Sequence, residues 1–298
     1  MAAQMQVEVR IVNAFIDGER GGNPAGVVLD AERFSREQKQ AIAASVGLSE
    51  TAFVSPSREA DFKLEFFTPS RQIAHCGHAT IATFGYLQQL RRISRADSSK
   101  ETIDGTRTIR LQDGMAFMEQ LAPRYTELGG ATPGIDIDSV LASLALNRDD
   151  LIEGQAPAVV HTGNAFLVVP LKNEAALLRA QPQMGALEAV SEQLDLIGYY
   201  LFSPETRVPG RHAGTRMFAP RYGIAEEAAT GMAAGPLACF LHDRLHVDAD
   251  TLLIEQGYLM PQPSPSVITV KLNKADGRIT GLMAGGQAAV MESRVVKI

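Results

Sequence analysis

The chain repeats itself, and that repeat constrains its fold more than any single motif does. Gly22-Asn23-Pro24-Ala25 runs into Gly26-Val27-Val28-Leu29, and Gly163-Asn164-Ala165 runs into Phe166-Leu167-Val168-Val169. Phe67-Thr68-Pro69 precedes Cys76-Gly77-His78-Ala79-Thr80, as Phe218-Ala219-Pro220 precedes Thr230-Gly231-Met232-Ala233-Ala234. After each glycine the sequence stays small and apolar to a leucine ten residues on, Leu87 or Leu241. Each match alone is weak, but three landmarks in one order at comparable spacing indicate duplication. A chain of 298 residues has room for two cores. Two related halves are expected to meet across a pseudo-twofold, with a ligand site in the crevice between them.

Hydrophobic patterning predicts strands alternating with helices in both halves, an α/β (α+β) layout. Strands are expected at Val7–Ala14, Val27–Leu29, Leu48–Val54 and Phe62–Phe67, and a hairpin over Thr108–Gln120 turning at Asp113-Gly114. Ser35-x-x-Gln38 is a capping box for a helix that Gly47 ends, and a small-residue helix starts at Gly77. Pro, Gly and Thr mark a linker between about Leu121 and Ile135, dividing residues 1–126 from 127–283. Beyond it, a helix is expected over Asp138–Leu146. Strands follow near Ala158–Val160, Phe166–Val169 and Leu196–Phe202. A second apolar helix runs from Gly231 to about Leu245, and strands at Leu252–Gln256, Val267–Leu272 and the last fifteen or so residues close the chain.

Composition narrows the partners. A net charge of −6 with no basic run argues against nucleic acid or an anionic membrane. No stretch approaches the roughly twenty apolar residues of a membrane helix. Two cysteines, Cys76 and Cys239, make no disulfide framework, and the start of the chain lacks a signal-peptide pattern, so a cytoplasmic location is expected.

Several residues could carry chemistry. Gly77 and Gly231 each open a helix, whose first N–H groups lack intrahelical acceptors and sit at its positive end. Two such ends around one crevice would hold an anion, most simply a substrate carboxylate; no P-loop or G-x-G-x-x-G pattern points to phosphate. Glu50 follows a helix stop and starts a strand with apolar mates Ala52 and Val54. Its position alone favours a solvated strand edge over a dry, acid–base pocket. His78 fits a proton donor and a satisfied partly buried histidine equally well. Cys76 could be an activated thiol at a helix start, but its counterpart is Thr230, which favours the reading of a small buried residue. His75, Cys76 and His78 crowd too closely for one tetrahedral zinc, so no metal is expected. Glu226 and Glu227 are an acidic pair that a helix start would favour anyway, and Met232, in the place of His78, is a pocket wall.

Taken together, these pieces resemble the PhzF-like family of phenazine-biosynthesis isomerases. Leu48-Ser49-Glu50-Thr51-Ala52-Phe53 and Cys76-Gly77-His78-Ala79-Thr80 carry the resemblance most specifically. Gly22-Asn23-Pro24-Ala25, Phe67-Thr68-Pro69 and Phe218-Ala219-Pro220 through Glu226-Glu227-Ala228-Ala229-Thr230-Gly231 extend it over nearly the whole chain. The resemblance implies a diaminopimelate-epimerase-like fold of two pseudo-symmetric halves, each a curved mixed sheet around a central helix. The closing strand, about 284–298, returns to the first half. It also implies a cofactor-free, homodimeric isomerase of a small carboxylate-bearing substrate; the named member isomerises trans-2,3-dihydro-3-hydroxyanthranilate. Glu50 then matches the glutamate that moves the proton, His78 and Glu227 match substrate-site groups, and Asn23, Cys76, Gly77, Thr230, Gly231 and Met232 line the substrate. The chain departs from the pattern where Glu226-Glu227-Ala228 replaces Glu-Asp-Pro and Met232 replaces a frequent serine. Those changes should alter substrate recognition. A racemase or epimerase on the same fold, which Thr230 in place of a second thiol argues against, and a non-catalytic small-molecule-binding homologue are the alternatives.

Overall fold

The computed structural model describes residues 5–129 and 134–298. Packing divides the chain into two compact units, Met1–Met118 with Gly285–Ile298, and Glu119–Ala284. The boundary expected after residue 126 therefore falls earlier, after Met118. The expected linker contains a strand, and residues 130–133 of it lie outside the described residues.

In the first unit, β1 (Gln6–Ala14) pairs antiparallel with β2 (Asn23–Val28). Helix α1 (Arg36–Val46) crosses over to β3 (Thr51–Ser55), which runs parallel to β2. β3 pairs antiparallel with β4 (Phe62–Phe67), and the short β5 (Gln72–Ile73) flanks β4. Helix α2 (Gly77–Gln89) follows. β6 (Asp97–Thr102) lies parallel to β4, and β7 (Gly105–Gln112) and β8 (Met115–Leu121) extend the antiparallel run.

Local sequence writes several of these boundaries. Ser35 caps α1, accepting from Gln38 N while Gln38 reciprocates, and Gly47 ends the helix at φ 70°. Asp113 and Gly114, at φ 54° and 75°, make the two-residue turn between β7 and β8. Helix α2 is buried continuously from His78 to Leu87, so it needs no polar face. It packs against β1, β2 and β3, and Gly85 lets it approach the closing strand: a Cβ there would stand 2.7 Å from that of Ala288.

The second unit repeats this order. β9 (Arg124–Glu127) and α3 (Ile137–Ser143) lead into β10 (Ala158–His161), which pairs antiparallel with β9 and with β11 (Ala165–Pro170). Two helices, α4 (Glu174–Arg179) and α5 (Met184–Gln193), cross to β12 (Gly198–Ser203), parallel to β11. β13 (Ala213–Phe218) turns back antiparallel, and Phe218-Ala219-Pro220 leads toward helix α6 (Gly231–Leu245), buried from Ala233 to Leu241. β14 (Thr251–Gln256) lies parallel to β13, and β15 (Ser266–Ala275) pairs antiparallel with it. β16 (Arg278–Gly286) and β17 (Ala288–Lys297) end the chain. The two halves thus share one recipe: an antiparallel pair, a helical crossover to a parallel strand, a hairpin, Phe-x-Pro, and a central helix.

β17 pairs with β1 from Gln6↔Lys297 to Ala14↔Ala288, with a bulge between Ile11 and Val12. The last segment of the chain is therefore part of the first unit's sheet. Among the described residues no helix is long and apolar enough to cross a membrane.

Candidate active site

In the first unit the chemistry gathers at the start of α2. Glu50 stands one residue before β3, not inside it, and Gly26 N–H donates to its carbonyl at 3.0 Å. All five residues of β3, Ala52 and Val54 among them, are buried. What surrounds the Glu50 carboxylate is α2. Its Oε2 lies 3.4 Å from Nε2 of His78, and the side chains are only 14% and 5% exposed. The solvated strand-edge reading is thereby replaced by a largely enclosed carboxylate.

On its other edge the His78 ring faces Cys76: Nδ1 lies 3.6 Å from Sγ. Cys76 is the N-cap of α2 without capping it through its side chain. Instead Thr80 returns to it, donating to the Cys76 carbonyl through both N–H (3.2 Å) and Oγ1 (2.6 Å). The order is thiol, imidazole, carboxylate. Donor atoms of Glu50, Cys76 and His78 lie within 4.8 Å of one another. His78 meets Glu50 with Nε2 and Cys76 with Nδ1. The crowded trio expected from sequence also changes membership. His75 turns to Lys100, whose Nζ lies 3.2 Å from its Nδ1. Burial above all, with the charges of Lys100 and Arg107, pushes His75 down to about 3, so it is neutral. Gly77 is the first residue of α2, and Asn23, buried, the first of β2.

The second unit builds a polar cluster at the start of α6. Thr230 is the N-cap, but its hydroxyl donates to the Glu227 carboxylate and accepts no helix N–H. Gln256, at the end of β14, ties the turn together. It accepts from Thr230 N–H (3.0 Å) and the Tyr200 hydroxyl (2.9 Å), and donates to the Glu227 carbonyl (2.7 Å) and Thr230 Oγ1 (3.1 Å). Burial above all raises the Tyr200 phenol, with a lesser push from Glu227, so it stays a neutral donor. The acidic pair divides its work. Glu226 is a fork partner of Arg216, at 2.8 and 3.0 Å, while Glu227 serves the helix start. Met232 Sδ accepts from Asn164 Nδ2 at 3.3 Å, and the Gly231 carbonyl accepts from Gln120 at 2.9 Å.

Gln256, Tyr200 and Lys100 were not readable as site residues, because polar side chains inside strands carry no local motif. Gln256→Leu should leave the Thr230 N–H and the Tyr200 hydroxyl buried without their acceptor. A loss of about 2–4 kcal/mol in urea unfolding is expected; a loss below about 1 kcal/mol would contradict the network as drawn.

Each half therefore presents the start of its central helix beside acidic and hydroxyl or thiol groups. The sequence pattern of the PhzC-PhzF family, described as "Phenazine biosynthesis-like protein", matches residues 12–294. The chain belongs to that family, and it is an isomerase. It is 32% identical over 279 residues to the trans-2,3-dihydro-3-hydroxyanthranilate isomerase of Pseudomonas chlororaphis, covering 90% of each chain. It is 28% identical over 299 residues to the "Uncharacterized isomerase YfhB" of Bacillus subtilis, covering 98% of this chain and 99% of that one. The crystal structure of a PhzF-family phenazine biosynthesis protein from Bacillus anthracis superposes with a TM-score of 0.87 at 27% identity, over 99% of this chain and all of the other.

Proposed function

We propose that this isomerase shifts a proton, and with it a double bond, within a small carboxylate-bearing metabolite, using Glu50 as both base and acid. The observation that carries the reading is the enclosed Glu50 carboxylate 3.4 Å from Nε2 of a buried His78. Glu50 takes a proton from a carbon whose anion is conjugated. The C–H electron pair moves into the π system, and the new carboxylic acid returns the proton at the far end of that system. No electrons are gained or lost overall.

His78 holds Nε2 3.4 Å from one carboxylate oxygen of Glu50, leaving the other for the substrate, and Cys76 Sγ faces Nδ1 at 3.6 Å. Gly77 offers helix-start amides to an anion, with Asn23 in the same unit; in the second unit Gly231, Glu227, Thr230 and Met232 form the corresponding helix start. The name of the Pseudomonas relative supports a proton-shift isomerase. Ala228 and Met232 favour a substrate shaped differently from the one in that name.

The test is incubation in deuterated water with trans-2,3-dihydro-3-hydroxyanthranilate and a panel of small unsaturated carboxylates, read by NMR. An isomer with a moved double bond, carrying less than one deuterium per turnover, is expected because the proton travels on Glu50. Deuterium entering a Cα–H with no bond shift would establish the racemase reading instead. A panel bound but unchanged would favour a binding protein.

A further inference from the structure

One buried charge has no task in this scheme. Lys100 projects from β6 with no exposed surface. Its Nζ donates to Thr80 Oγ1 at 2.7 Å, stands 3.2 Å from His75 Nδ1, and lies 5.4 Å from the centre of the Phe66 ring on β4. Thr80 passes the contact on, giving its own hydroxyl proton to the Cys76 carbonyl. His75, being neutral, offers the ammonium a lone pair. The two side chains that Lys100 grips therefore bracket Cys76-Gly77-His78, one from each side.

An apolar side chain of the same length could fill this space without removing a charge from water, so packing alone does not call for a lysine. Burial, helped by Arg107 on β7 and only partly offset by Cys76 and by Asp104 in the β6–β7 turn, brings the ammonium down to about 7. Its charged form is thus present below that pH and lost above it.

We propose that Lys100 is a positioning residue of the proton-transfer site: by gripping His75 and Thr80, its charged ammonium fixes the turn that presents Cys76, Gly77 and His78. This rests on the role given above to His78 and Glu50.

The test compares full-length wild type, Lys100→Met, Lys100→Arg and Thr80→Val. Histidine-labelled ¹⁵N spectra are recorded across pH about 6 to 9, and turnover is measured on the substrate found in deuterated water. Lys100→Met should fold with an unfolding temperature at or above wild type, yet move the His78 ring signals. Its kcat should fall, by up to about 100-fold, with KM within about threefold, as expected when the ring that orients the Glu50 carboxylate is displaced. Wild-type turnover should decline as pH rises through about 7, and Lys100→Arg, charged throughout, should recover turnover on that alkaline side. Thr80→Val, cutting the same link from the other end, should reproduce the Lys100→Met spectra. Folded Lys100→Met or Thr80→Val with wild-type His78 signals would overturn the proposal. Because the spectra need no substrate, they decide the role of Lys100 even if the isomerase reading fails on every compound tried.

Discussion

Glu50→Gln is expected to lower kcat by about 10²–10⁴-fold, the range that a positioned general acid–base contributes. The amide keeps the size of the carboxyl and can occupy the same place, 3.4 Å from His78 Nε2. Folding should therefore change by less than about 1 kcal/mol, as for other substitutions that preserve contacts. The amide cannot take a proton from carbon at neutral pH, so the loss should fall on kcat while KM barely moves. His78→Gln should cost less, because that ring only orients the carboxylate. A Glu50→Gln enzyme that binds substrate and turns it over at the wild-type rate would remove Glu50 from the mechanism. If both variants lost activity equally, His78 would be handling the migrating proton itself.

The largest structural effect is expected at Gly257, directly after the Gln256 that ties down Thr230. Its φ is +78°, and a Cβ would stand 2.1 Å from the Ser264 carbonyl oxygen and 2.8 Å from that of Ala228. Both obstacles are backbone, which cannot swing aside as a side chain end can. Gly257→Ala thus combines left-handed strain of about 1–2 kcal/mol with an overpacking cost of about 1–3 kcal/mol. A destabilisation of about 3 kcal/mol or more in urea unfolding is expected. Gly210→Ala is the control: φ is +84°, but nothing lies within 4 Å of the added atom. It should lose only the strain. Equal losses in the two variants would show that the clash at Gly257 relaxes freely.

Much of this architecture is legible without coordinates because it is written locally. Ser35, Gln38 and Gly47 bound α1 by hydrogen bonds to neighbours three and four residues away, and Asp113-Gly114 is a turn wherever two strands flank it. The duplicated Gly-Asn, Phe-x-Pro and helix-start glycines are local too, and they anticipate the matching order of elements in the two units. β6 escaped notice for the opposite reason. Its inward residues are Ser98, Lys100 and Thr102, so the strand buries polar groups and shows no apolar alternation. α4 and α5 carry no comparable local signal, and the position of Glu50 at a strand start does not reveal that α2 encloses its carboxylate.

The same contrast holds at the site. Cys76, Gly77 and His78 are adjacent in sequence and visible as a motif, and Glu50 is visible through its own. The approach of Glu50 to His78 is tertiary. Equally tertiary are the reach of Gln256 back to Thr230 and the turning of His75 toward Lys100 instead of toward its sequence neighbours. None of these could be inferred from spacing. The division between Glu226 and Glu227 likewise depends on Arg216, ten residues upstream, whose guanidinium claims the first and leaves the second to Thr230.

The pairing of β1 with β17 sets a timetable for synthesis. Residue 5 bonds to residue 298 through both backbone groups at 3.0 Å, so β1 lacks this neighbouring strand until residues 288–298 have been made. The nascent N-terminal half must wait, with one edge of β1 unsatisfied, while Glu119–Ala284 emerges and can close on itself. Loss of residues 288–298 would therefore damage the part of the protein that was translated first.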